Sequence, residues 1–150
     1  MVPTNVLLQA QVDLLGADPA TLAPAALANH LHLAMSPFTP SPNLDVSGVV
    51  EATFNTYTAL DIGVGTQQIF IDPVTGLRVI QLLEPAGGLH WQTGTNANLP
   101  QTIYGYYLTD NADLVMLGSD LLDQPVLLTD AGQGVDIGNV KLRFLTTSPF

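Results

Sequence analysis

Three histidines and thirteen acidic residues are the groups in this 150-residue chain whose types and spacing could do chemistry. His30 and His32 lie two apart in the alternating run His30-Leu31-His32-Leu33. Alternation of polar and apolar residues is strand period, and residues two apart on a strand point to one face. Two imidazoles on one face chelate a transition metal if a third ligand, His90 or a carboxylate, folds beside them. Nothing in the sequence requires that convergence. The simpler expectation is two solvent-facing histidines on an edge or outer face, with no metal bound.

Aspartates gather in turn-like stretches, Asp110 with Asn111 and Asp113, and Asp120 with Asp123. Calcium accepts such oxygens, but its ordered loop, with a central glycine and a terminal glutamate, is missing. Asx residues also make turns without any ion. Ser119 beside Asp120 has no G-x-S-x-G setting and no histidine nearby in sequence. Gly63 and Gly65 lack the third glycine of a dinucleotide loop, and no Walker pattern follows a predicted strand. The sequence therefore predicts a protein that is not an enzyme, with no catalytic, cofactor-binding or metal-ligating residues.

The charge balance restricts the partners. Three cations, Arg78, Lys141 and Arg143, face thirteen acids, for a net charge of −10. Only 11% of residues are charged, where about 25% is typical. A phosphate backbone needs clustered Lys and Arg, so nucleic acid is not an expected partner. The surface must be built largely from Thr, Asn, Gln, Ser and small residues. Such a surface costs little to desolvate and suits extensive subunit contacts, although the acidity also serves solubility. The absence of cysteine excludes disulfides, thiolate metal sites and cysteine nucleophiles. The stretch from Met1 to Gly16 has no basic residue ahead of its apolar part and carries Asn5, Gln9, Gln11 and Asp13, so it does not read as a secretory signal. No run approaches the roughly 18 apolar residues that span a bilayer. Membrane association is not expected, and folding in the cytoplasm where the chain is made is.

The elements that would carry these residues are mostly strands. Residues 5–15 read as a short amphipathic helix from Leu7, Leu8, Val12 and Leu15, capped by Thr4 or Asn5 and ended by Gly16. Asp18-Pro19 opens a second short helix limited by Pro24. Together they predict a helical arm over 1–28. Residues 29–150 form the main body, with a proline-rich surface loop over 36–48. Strands are predicted at 30–33, 67–71, 77–83, 89–92, 102–109, 113–122, 125–129 and 135–145. The 67–71 and 77–83 strands join as a hairpin through Asp72-Pro73-Val74-Thr75-Gly76. The fold class is mainly β: an antiparallel sandwich or barrel of about seven or eight strands in one domain. In the last strand Lys141 and Arg143 share one face. Tyr104, Tyr106 and Tyr107 send rings to both faces of their strand, and Gly105 leaves a gap that a neighbouring ring or backbone can enter. Trp91, Tyr104, Tyr106, Lys141 and Arg143 are the interface candidates.

Several segments in this order resemble a family of small tailed-phage virion structural proteins. They are Leu31-His32-Leu33, Thr39-Pro40-Ser41-Pro42-Asn43, Glu51-Ala52-Thr53-Phe54-Asn55-Thr56-Tyr57, the run from Gln101 through Tyr104-Gly105-Tyr106-Tyr107 to Asp110, and Gly134-Val135-Asp136-Ile137. Where family members commonly carry glycine before the tyrosine of the Glu51–Tyr57 mark, this chain has Thr56. The resemblance implies a virion component assembled in the host cytoplasm: a head decoration or minor capsid protein. Its partners would be the major capsid protein or other virion subunits, and it would form a homo-oligomer, for instance a trimer. The alternatives are a tail or fibre-attachment role, or a carbohydrate- or receptor-binding module using Trp91 and the tyrosines as a platform. A hydrolase or metal enzyme would need the histidines to converge with carboxylates in a pocket.

Overall fold

In this computed structural model residues 1–4, 30–62, 68–71, 73–74, 78–81, 88–110, 112–138 and 141–143 are described. The two predicted helices, at 5–15 and from Asp18, lie outside them. The described residues hold ten strands: β1 (Val2–Pro3), β2 (His30–Ala34), β3 (Leu60–Asp61), β4 (Gln68–Ile71), β5 (Arg78–Gln81), β6 (Leu89–Gln92), β7 (Gln101–Thr109), β8 (Met116–Leu128), β9 (Gly134–Ile137) and β10 (Lys141–Arg143). Every strand pair is antiparallel. The mainly β expectation holds. The strands form a five-stranded sheet in the order β1-β8-β7-β2-β3, a three-stranded sheet β10-β5-β4 and a two-stranded ribbon β6-β9.

The ribbon shows how sequence period becomes a layer. Along β6, Leu89 and Trp91 are buried while His90 and Gln92 are exposed, and along β9 Val135 and Ile137 are buried while Asp136 is exposed. The buried side chains join Leu31, Leu33, Leu108 and Leu117 of the five-stranded sheet in the main core. The opposite face of that sheet is covered by the predicted loop. Ala34, Tyr107 and Met116 pack there with Val49, Phe38, Leu44 and Val46, and a short 3-10 turn at Val46–Gly48 is capped by Asp45, whose carboxylate accepts from the Ser47 backbone. Each side of β2 is thus buried, one under the ribbon and one under the loop.

Three sequence expectations are corrected. The first residues belong to the body: β1 pairs with β8 at Ser119 and Gly118, and Met1 is buried in the main core. The predicted strands at 113–122 and 125–129 are one strand, β8. Gly105 pairs with Leu121 and Ile103 with Val126, so residues 122–125 bow out opposite Tyr104 alone. Asp123-Gln124 is a real turn signal, and Pro125 has no N–H for a ladder, but the ladder resumes beyond them. The predicted strand 135–145 divides into β9 and β10, which pair with β6 and β5 in different sheets. The antiparallel pair β4 and β5 and the strands β2, β6 and β7 lie where the sequence placed them.

Thr56 has a φ of 72°, in the left-handed region that favours glycine and costs other residues about 1–2 kcal/mol. Its hydroxyl donates to the Gln92 carbonyl at 2.6 Å, which ties this turn to β6 and offsets part of that cost.

Candidate functional site

The titratable residues converge where β2 meets the turn between β7 and β8. Asp110 builds that turn: its Oδ1 accepts from the backbone of Leu114 at 2.9 Å and of Val115 at 3.0 Å. The Asp113 amide donates to the Asp110 carbonyl at 3.1 Å, and Asp113 itself adopts a φ of 57°. That conformation, which aspartate tolerates better than most residues, returns the Asp113 carboxylate over the face of β2 that carries His30 and His32.

Asp113 Oδ1 then lies 2.6 Å from His30 Nδ1 and 3.0 Å from His32 Nε2. It also accepts from the Thr109 hydroxyl at 2.8 Å. The far nitrogen of each ring faces another carboxylate. His32 Nδ1 is 2.7 Å from Glu51 Oε1, and His30 Nε2 is 3.1 Å from Asp61 Oδ1. Glu51 Oε1 also accepts from the Tyr57 hydroxyl at 2.9 Å, whose oxygen accepts from the Leu33 backbone at 3.0 Å. The result is a continuous chain, Asp61–His30–Asp113–His32–Glu51–Tyr57.

Burial grades along this chain. The His32 side chain is 4% exposed, His30 23% and Asp113 48%. His32 lies flat on Tyr107, with ring centroids 4.8 Å apart and planes at 9°. The hydrogen bond from His32 holds the Glu51 carboxyl below its usual range, against the upward pull of burial. Burial also raises Asp113, but hydrogen bonds involving His30, Thr109 and His32, with the charge of His32, outweigh it and leave the carboxyl lowered. Burial pushes the hydroxyls of Tyr57 and Tyr107 upward, with the nearby Glu51 charge adding to both, so both phenols stay protonated donors.

The sequence predicted two solvent-facing histidines. Instead His32 is buried, and both rings are held between carboxylates. His90 is elsewhere: its Nδ1 faces Asp136 Oδ1 at 2.6 Å on the outer face of the ribbon. The third ligand that the His30–His32 spacing asks for is thus Asp113, read from sequence only as a turn residue. Glu51, Asp61 and Thr109 were not singled out for chemistry. Register is the missing signal, since His30 pairs with Thr109 on one side and Asp61 on the other.

The interface candidates separate. Trp91 is 4% exposed, and its indole N–H donates to the Thr58 carbonyl at 2.8 Å; it is a core residue and not a surface anchor. Tyr104 and Tyr106 are half-buried. Tyr106 lines a shallow recess of about 300 Å³ with Leu121, Leu122, Val126 and Ile137, rimmed by Asp123 and Asp136. Lys141 and Arg143 occupy alternate positions of β10, opposite Gln81 and Val79. No family model, curated protein or solved structure matches this chain.

Proposed function

We propose that this chain is a β-sandwich structural subunit of a phage-like virion, of the head-decoration or minor-capsid kind, working through contacts with copies of itself and with the major capsid protein. The sandwich reading is supported by the β6–β9 ribbon packed against the five-stranded sheet. The observation that carries the reading is the outer half of β8. Leu121 and Leu127 are 44% and 57% exposed there, on the strand that borders the Tyr106 recess. Leu121 at the recess and Leu127 further along the strand, both standing in water, suit a neighbouring subunit's side chains. The surface around them has few of the strongly hydrated cations that resist desolvation, because the whole chain has three.

Many copies, each burying a modest area, add their energies through multivalency. The order of motifs along the sequence supports the virion setting, and a tail or fibre-attachment position would use the same contact chemistry. The carbohydrate-platform alternative loses its main element, because Trp91 is in the core.

The test is to purify particles from producing cells on a density gradient and locate the chain by mass spectrometry and electron cryo-microscopy. The reading predicts stoichiometric copies on the particle, seated through β8. Chain found only in the free protein fraction would overturn it.

A further inference from the structure

We propose that His30, His32 and Asp113 form a binding site for a divalent transition-metal ion of zinc-like preference. This inference is independent of the assembly reading. Three observations lead to it.

The first is the ligand set. His30, His32 and Asp113 offer ligand atoms that all lie within 4.8 Å of one another. Two imidazoles and a carboxylate are borderline and hard donors of the kind zinc takes with three protein ligands and an open fourth position. Around a tetrahedral zinc such atoms stand about 3.3 Å apart, so a shift of an ångström or so converts the present hydrogen-bonded spacing into a coordination sphere. The partial exposure of His30 and Asp113 gives the ion a path from solvent.

The second is the support around the ligands. A metal-binding histidine usually gives its other ring nitrogen to a carboxylate or carbonyl, which fixes its tautomer and orientation. Both rings here have that partner already, Glu51 for His32 and Asp61 for His30. Glu51 is itself held by Tyr57, and Tyr107 fixes the plane of His32. Two solvent-facing histidines on a strand need none of this.

The third is the concentration of negative charge. All four ring nitrogens of His30 and His32 face carboxylates. Three carboxylates, Asp61, Glu51 and Asp113, meet at the site, and no Lys or Arg lies among the residues named there. An ion at the two nitrogens nearest Asp113 supplies two positive charges among them and leaves Nδ1 of His32 to Glu51 and Nε2 of His30 to Asp61.

The experiment uses the whole chain, freed of metal by chelator and dialysis. Zinc is titrated by calorimetry and thermal melting, and cobalt(II) by its visible absorption. The expected result is saturable binding of one ion per chain, a raised melting temperature and the visible spectrum of a four-coordinate cobalt(II) site. Asp113→Asn should abolish binding. Glu51→Gln, which touches no ion, should weaken it about 10–100-fold. His90→Asn should leave it unchanged. Should Asp113→Asn not fold, Glu51→Gln and the cobalt spectrum still decide. No saturable heat and no cobalt spectrum with the wild-type chain would overturn the proposal, as would uptake that Asp113→Asn leaves intact or that His90→Asn removes.

Discussion

His32 and Tyr107 face each other directly across β2 and β7, and their rings stack at a centroid distance of 4.8 Å. This one pair joins the secondary core to the polar chain: Tyr107 packs with Ala34, Val49 and Met116, while His32 holds Glu51 and Asp113. Cross-strand aromatic pairs of this kind contribute about 0.5–1.5 kcal/mol beyond the area they bury. Tyr107→Leu retains an apolar side chain but not the stack. It is expected to lower the urea midpoint by that energy divided by the slope, with the slope itself unchanged, and an unchanged midpoint would show that the stack carries no stability.

The carboxylates of the site set the acid limit of stability. Glu51 and Asp113 both titrate below their ordinary values in the folded chain. The unfolded chain binds their protons near pH 4. Their contribution is therefore fully present above about pH 5 and is lost as the pH falls through the folded values. Tyr57 and Tyr107 act in the opposite sense. Raised in the fold, they add stability below about pH 10 that is lost as the pH rises further. In chelator, urea unfolding at a series of pH values should show a shallower acid limb for Glu51→Gln than for wild type. Identical acid limbs would contradict this assignment.

Gly105 is a packing requirement. A β-carbon there would meet the Asp120 carbonyl oxygen at 2.3 Å and the Phe38 ring at 2.8 Å. The gap inferred from sequence is filled from both directions, by a ring and by backbone. Gly105→Ala is expected to cost about 1–3 kcal/mol, read as a lower melting temperature. A neutral effect would mean that β7 and β8 separate there at little cost.

Trp91 gives a direct optical check on the layer packing. As the chain's only tryptophan, buried and hydrogen-bonded, it should emit at short wavelength and resist quenching by acrylamide. Trp91→Ala should cost about 3–5 kcal/mol. Emission like that of a tryptophan in water would contradict the packing of the ribbon on the sheet.

What the sequence made legible was local. His30–Leu33 and Leu89–Gln92 alternate polar and apolar residues, a polar loop and Asp110-Asn111 bracket the strand through Tyr104 to Tyr107, and all three strands form where these signals lie. Long-range register was not legible. His32 and Asp113 are 81 positions apart, and nothing in the sequence near either residue names the other. The proline and Asx signals at 123–125 were read as a strand end, yet the pairing of Ile103 with Val126 carries the ladder past them. Thr56 shows a subtler limit. The resemblance marks that position for glycine, and the backbone does take the left-handed conformation glycine favours, but the hydroxyl bond to Gln92 is visible only once β6 is in place.

The assembly account is tested most directly by sedimentation equilibrium of the purified chain across a micromolar concentration range, for wild type and for the pair Leu121→Asp and Leu127→Asp. The account predicts a wild-type oligomer, with interfaces on the scale of about 1,600 Å², and a folded monomer for the doubly substituted chain. A wild-type chain that stays monomeric throughout, or an oligomer indifferent to both substitutions, would contradict it.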